Sequence, residues 1–344
     1  MKSFLEPSAG TGGFLQVATP TAYKAAFEKD LVTGLVLSAL ADETHVFIDG
    51  FETIDSREME QDKFDVIASN IPFGNFKVSD FDFEQRGLPY SQATKAIHNY
   101  FFIKTVEKLN EGGILAFITS RGVADAPSNK FVRDYLVHHC NLITTLRLPE
   151  NLFMNTGGIE VGSDLYIMQK NSHKADLTTR ERYFLDTVKE TVKVDGTQTE
   201  HANKVFSLPN TILATDTAVQ YNQFGKLVRK YYWKEDEGKM RQTLSEILQT
   251  NFERYFRKSL FVGKQTAPAY DMFSLFGLFD EVENAPTQAP KPNRGKRIYT
   301  DPLQDWMKDG AMVIFEEQIG NLQYRKADRF SDTEIYFVPQ FGIK

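Results

Sequence analysis

The chain has 344 residues, enough for one α/β domain of ordinary size and further material, since single domains commonly run to about 100–200 residues. Its 41% apolar and 25% charged composition is that of a globular protein and excludes a disordered tail. A net charge of −6, a single cysteine and the lack of an apolar run of about 18 residues exclude three things: a strongly basic nucleic-acid coat, a cysteine-based bridge or metal site, and a membrane-crossing helix.

The N-terminus, Met1-Lys2-Ser3-Phe4-Leu5-Glu6-Pro7, lacks the apolar run and cleavage site of a signal peptide, which reads as an intracellular, cytoplasmic protein with no membrane partner. The histidines are scattered apart from His138-His139, so no metal is expected, and that pair reads as a cap on helix-end carbonyls. Residues 1 to 170 hold about 15 basic and 22 acidic side chains and the remainder about 25 and 24, so any basic surface is local.

In chain order, strands are predicted at Ser3–Leu5, Thr21–Phe27, His45–Ile48, Phe64–Ala68, Ile114–Thr119, Leu142–Leu148 and Asp164–Gln169. Helices are predicted at Gly13–Val17, Leu31–Leu40, Lys95–Leu109 and Lys130–His138. The alternation gives a doubly wound α/β domain over 1–170, a mostly parallel sheet with helices on both faces. Residues 171–280 read as a mixed annex, polar and Thr-rich to about 218 and helical over Gln220–Lys258, where Leu244, Ile247, Leu248 and Phe252 fall at helical spacing. A Pro-rich basic linker follows at 281–297, then a small β module at 298–344 with strands at Ala311–Phe315, Ile319–Tyr324 and Glu334–Val338.

Chemistry concentrates near the first strand. Glu6-Pro7-Ser8-Ala9-Gly10-Thr11-Gly12-Gly13-Phe14-Leu15 lets the backbone turn sharply and approach a ligand at the sheet's carboxyl edge. A dinucleotide fingerprint needs glycine where Leu15 stands, and a phosphate loop needs a Gly-Lys-Ser/Thr that is absent; a plain tight turn is the competing reading. Glu28 ends the second strand, where a carboxylate can accept both hydroxyls of a ribose. Asp49 and Glu52 flank the end of the third, and either can hold a cofactor's adenine amino group or belong to a solvated turn.

Ser69-Asn70-Ile71-Pro72-Phe73-Gly74 follows the fourth strand and so lies at the same edge as the glycine loop. The order of these two segments and their spacing of some sixty residues resemble the amino-group DNA methyltransferases, in which a cofactor motif precedes an Asn/Asp-Pro-Pro-Phe/Tyr catalytic motif. Type I modification subunits look most similar. The resemblance extends through Ile97–Phe102, Glu111–Ile118 and Gly158–Leu165, and within it the methylase portion of methylase-helicase proteins of mobile elements is nearest.

The resemblance implies a Rossmann-like fold, S-adenosylmethionine as cofactor, and the exocyclic amine of a DNA adenine as the target. It also implies a specificity, nuclease or helicase partner, as a subunit or a fused domain. Carried over residue by residue, it assigns cofactor binding to Glu6, Pro7, Ser8, Ala9, Gly10, Gly12, Gly13, Phe14, Glu28, Asp49 or Glu52, and Asn70. Catalysis falls to Asn70, Ile71, Pro72 and Phe73: Asn70 Oδ1 and the Ile71 carbonyl accept the two amine hydrogens, and Phe73 stacks on the extruded base.

Two departures accompany the resemblance. Ile71 replaces a proline, which costs stiffness but not the carbonyl. Five residues precede Glu6 where the class has a segment closing over the methionine end, so the reading expects a fragment of a larger protein or a degenerate copy. RNA or glutamine N-methylation and a catalytically inactive DNA- or partner-binding fragment are the alternatives. Arg254, Arg257 and Lys258 among Phe252, Tyr255 and Phe256, and Arg294, Lys296 and Arg297 in the linker, are two clusters that can touch a nucleic-acid backbone, the first reading rather as a packed and solvated helix face. Lys95 and His98 read as surface or DNA-facing.

Overall fold

The computed structural model describes residues 1–154, 158–193, 198–222 and 225–261, together with the backbone of three later strands. Two compact units divide it, Met1–Phe279 and Asp280–Lys344.

The first unit is built on seven strands: β1 (Ser3–Glu6), β2 (Tyr23–Phe27), β3 (Thr44–Phe47), β4 (Phe64–Asn70), β5 (Leu109–Ser120), β6 (Cys140–Arg147) and β7 (Ser163–Lys170). They lie in the order β3-β2-β1-β4-β5-β7-β6. The first five pair in parallel, whereas β7 runs antiparallel to both β5 and β6. The helices are α1 (Leu31–Leu40), α2 (Phe81–Gln85), α3 (Tyr90–Ala93), α4 (Ile97–Lys108), α5 (Gly122–Asp125), α6 (Lys130–His139), α7 (Thr179–Leu185) and α8 (Glu237–Tyr255).

Both faces of the sheet are buried, and side chains alternate between two apolar clusters with the period of two that a strand imposes. Phe4, Val66, Ala68, Leu165 and Ile167 enter one cluster, while Leu5, Ile67, Tyr166 and Met168 enter the other. The first cluster is completed by Leu37 of α1 and by Met240, Leu244, Ile247 and Leu248 of α8, the second by Tyr100, Phe102 and Val106 of α4 and Leu136 of α6. Helix α8 therefore covers a sheet face, its apolar residues spaced to form one stripe. Asp30 and Asp236 start α1 and α8 by accepting from Thr33 N and Lys239 N at 2.7 and 2.9 Å.

The sheet is mostly parallel, as expected, with β7 inserted antiparallel between β5 and β6. Two expectations need correcting. The helix expected at Gly13–Val17 is a single 3-10 turn at Leu15–Val17: Pro20 and the start of β2 at Tyr23 leave no room for more. The helical reading of Gln220–Lys258 holds only from Glu237, since β10 (Asp216–Tyr221) and β11 (Leu227–Tyr232) form an antiparallel hairpin. Gly225, at φ +71°, and the β-branched and aromatic run after it favour the hairpin.

The polar stretch before it holds α7, opened by a capping box between Thr178 and Glu181, and a second hairpin of β8 (Thr187–Thr191) and β9 (Thr199–Asn203). In the second unit, β12 (Met312–Ile314), β13 (Asn321–Tyr324) and β14 (Ile335–Val338) pair antiparallel in that order. The Pro-rich stretch at 281–297 lies outside the described residues.

Candidate functional site

The chain leaves β1 toward β2 and β3 on one side and returns to β4 and β5 on the other, so a crevice opens over the carboxyl ends of β1 and β4. Loops emerging there sit where open α/β sheets bind ligands. The glycine loop leaves β1 at Glu6, and the segment Asn70–Gly74 begins with the last residue of β4. Ser69 Oγ, fully buried, donates to the Ser8 carbonyl at 2.8 Å and joins the two loops directly.

The glycine loop is shaped by its own backbone. Ala9 N donates to the Phe27 carbonyl at 2.9 Å and Gly12 N to the Ala9 carbonyl at 2.7 Å. Gly12 sits at φ +87°, and a Cβ there would stand 2.7 Å from Leu37 Cδ1, so both conformation and space require glycine. At the end of β2, Glu28 takes Gly10 N on Oε2 at 2.7 Å and Asp30 N on Oε1 at 2.8 Å, which fixes its carboxylate over the loop.

A cavity of about 380 Å³ lies beside these loops. Pro7, Ser8, Glu28, Asp49, Glu52 and Pro72 line it, so residues from four separate stretches of sequence meet there. Its apolar wall includes Phe27, Phe51, Ile97 and Phe101, to which the sequence reading assigned no site role, although Ile97 and Phe101 lie in the Ile97–Phe102 segment of the resemblance and Phe51 adjoins Glu52. Asp49 pairs with Arg57, and Glu52 pairs with Lys29 at 2.7 Å. Both acids line the cavity, and the geometry does not choose between them.

The other residues of the two motifs lie around it. Ala9 and Phe14 are buried, Phe14 packing with Leu15 in the sheet's apolar cluster rather than toward the cavity. Ile71 is buried and donates its N–H to the Ile118 carbonyl at 3.0 Å, with Phe73 half-buried two residues on. Asn70 is exposed, and its side chain hydrogen-bonds to none of the described residues. Glu6 is 1% exposed, and its Oε2 has no partner among the described residues. Burial pushes its carboxyl well above the usual carboxylate range, the nearby backbone N–H groups of Phe14 and Leu15 oppose that, and the nearby Glu28 adds to it.

His98 is a correction. It is buried, with Nδ1 2.9 Å from the Gly74 carbonyl, because the first turn of α4 packs beneath the Asn70–Gly74 segment. The buried Lys104 of the same helix binds Asp80 at 2.8 Å and also Asp55, tying the two chain segments that flank the cavity. His138 and His139 cap helix α6, each Nδ1 lying 2.8 Å from the carbonyl four residues earlier. Among the described residues no group of three or more His, Cys, Asp and Glu could hold a metal, and no helix is long and apolar enough to cross a membrane.

Comparison with known proteins adds the family. "Defense against restriction protein B" of Escherichia phage P1 is 28% identical over 177 residues, which are 51% of this chain and 7% of that protein. The chain thus spans a small part of that relative's length. A type I restriction-modification methyltransferase subunit from Streptococcus thermophilus aligns with 49% of this chain and 40% of its own, at 18% identity and a TM-score of 0.43. A modification subunit assigned to a type I restriction enzyme of Vibrio vulnificus YJ016 aligns with 71% and 57%, at 15% identity and a TM-score of 0.41. The model of the N-6 DNA methylase family matches residues 36–237, more than half of the sequence and inclusive of Asn70–Gly74. The chain belongs to the N-6 DNA methylase family.

Proposed function

We propose that this chain is the catalytic portion of a DNA adenine N6-methyltransferase, which transfers the methyl group of S-adenosylmethionine directly to the exocyclic amine of an adenine flipped out of the duplex. One observation carries the reading: the glycine loop and the Asn70–Gly74 segment leave the crevice side by side, joined by the Ser69–Ser8 hydrogen bond, next to a cavity walled by carboxylates.

The residues present fit such a cofactor. Glu28, Asp49 and Glu52, which line the cavity, suit a sulfonium ligand bearing an ammonium group. A pyrophosphate would call for bare amides and a helix N-terminus instead. The cavity volume lies in the small-molecule range of about 300–1,000 Å³. Glu28 would hold the ribose hydroxyls, Asp49 or Glu52 the adenine amino group, and Phe51 an apolar face of the base.

When bound, the cofactor supplies an electrophilic methyl group. The protein's task is to make a poor nucleophile attack it, because the amine lone pair is conjugated to the purine ring. Asn70 Oδ1 and the Ile71 carbonyl accept the two amine hydrogens and draw that lone pair out of the ring. Phe73 offers the aromatic face on which an extruded base rests. The methyl group would pass directly to the target nitrogen, whose surplus proton would be released to solvent at the exposed Asn70 side of the site, so no covalent enzyme intermediate is needed.

The partners in this reading are DNA and a specificity, nuclease or helicase subunit or fused domain, in a restriction-modification or mobile-element setting that the family and the phage relative support. Calorimetric titration of the full chain with S-adenosylmethionine tests the cofactor half. Micromolar binding that weakens roughly tenfold in Glu28→Ala, the worth of a charged hydrogen bond of about 1.5 kcal/mol, is expected. No heat from a folded sample would withdraw the cofactor assignment.

A further inference from the structure

The segment Ile97–Phe102 carries a histidine that the transfer chemistry leaves unused. His98 is 3% exposed, with Nδ1 2.9 Å from the Gly74 carbonyl oxygen and Nε2 3.4 Å from Asn129 Nδ2. A carbonyl can only accept, so Nδ1 bears the ring proton and Nε2 is left as the acceptor. The neighbouring amides agree: Asn129 Nδ2 also donates to the Gly122 carbonyl at 2.9 Å, and its Oδ1 accepts from Asn99 Nδ2 at 2.9 Å. Burial holds the imidazole below its ordinary range, which keeps it neutral.

The place of Gly74 gives this bond its consequence. The catalytic segment is fastened at its entrance by Ser69 Oγ on the Ser8 carbonyl and by Ile71 N on the Ile118 carbonyl. At its exit the fastening is His98 on Gly74. Gly74 lies at φ +134°, a region glycine enters freely, so its own backbone supplies no stiffness. Ile71 likewise stands where the family pattern has a φ-restrained proline. A buried side-chain donor at the exit makes good that loss of restraint.

We propose that His98 is a positioning residue for methyl transfer, its Nδ1–H holding the Gly74 end of the loop so that Asn70, the Ile71 carbonyl and Phe73 keep one arrangement around the target base. This rests on the methyltransferase reading of the same site.

The test compares the full-length wild type with His98→Leu, which removes the donor, and His98→Asn, which keeps an N–H near the Nδ1 position. Transfer of tritium from labelled S-adenosylmethionine into DNA from a methylation-deficient strain gives kcat, calorimetry gives cofactor Kd, and hydrogen exchange follows the amides of Phe73, Gly74 and Asn75. His98→Leu should lower kcat by roughly a hundredfold, the cost of a misplacement of about 1 Å, with Kd unchanged and exchange at these amides accelerated. His98→Asn should restore both kcat and exchange.

An unchanged kcat in His98→Leu, or a parallel loss of kcat and cofactor affinity that His98→Asn does not rescue, would overturn the proposal. No transfer by wild type would instead defeat the methyltransferase reading, and exchange would still decide the anchor: acceleration in His98→Leu establishes it, and unchanged exchange removes it.

Discussion

Ser69 and Ser8, 61 residues apart in sequence, are joined by a 2.8 Å hydrogen bond from the Ser69 hydroxyl to the Ser8 carbonyl, with the hydroxyl buried between β1 and β4. It makes the glycine loop and the Asn70–Gly74 segment one mechanical unit. Ser69→Ala leaves that carbonyl short of a donor, so a stability loss of about 1–2 kcal/mol is expected, together with weaker cofactor binding. Urea unfolding and calorimetry on the same variant check both.

The two adjacent glycines of the first loop should behave differently. Gly12→Ala forces a Cβ onto Leu37 and Leu15 at a positive φ, and a loss of roughly 1–3 kcal/mol is expected. Gly13→Ala meets nothing within 4 Å and should leave the thermal midpoint unchanged. Equal midpoints for the two variants would contradict the loop geometry.

Glu6 gives a pH signature. Its folded carboxyl holds a proton well above the usual range because burial penalises the charge, whereas the unfolded chain ionises near its ordinary value. The contribution of the protonated group is fully present below the unfolded pKa and is lost as pH rises through the folded one. Glu6→Gln, neutral throughout, should match wild type near about pH 4 and exceed its stability at about pH 7. Denaturant midpoints that differ equally at both pH values would contradict this.

Leu248 of α8 is fully buried in the cluster that also holds Phe4, Leu146 and Ile167 of the sheet. Leu248→Ala is expected to cost about 2–5 kcal/mol in a single cooperative transition. Loss of an early, separate transition instead would mean that α8 folds apart from the sheet.

Much of this architecture is legible in the sequence, because each core strand is short, apolar and flanked by turn residues, and its two faces are both buried. Strand direction is not: the run Ser163–Lys170 carries the same period whether it enters the sheet parallel or antiparallel. The hairpin at Asp216–Tyr232 is obscured by charged residues among its aromatics, which mimic a helix-forming stretch. The Glu6–Phe14 and Ser69–Gly74 motifs are visible because loops that approach a ligand need unusual residues. His98 is not, since a histidine opening a helix reads as surface, and its partner Gly74 lies 24 residues away. The apolar wall of Phe27, Phe51, Ile97 and Phe101 is hidden for the opposite reason, core and pocket phenylalanines being the same residue in sequence.

The decisive measurement is nucleoside mass spectrometry of unmethylated DNA incubated with the full chain and S-adenosylmethionine, run beside Asn70→Ala. N6-methyldeoxyadenosine is expected with wild type, and a loss of roughly 10²–10³-fold with Asn70→Ala even at saturating cofactor, because the lost acceptor acts on the amine in the transition state. A wild type that binds the cofactor yet leaves adenine unmodified, or an Asn70→Ala variant as active as wild type, would contradict the assignment of Asn70 and of the reaction.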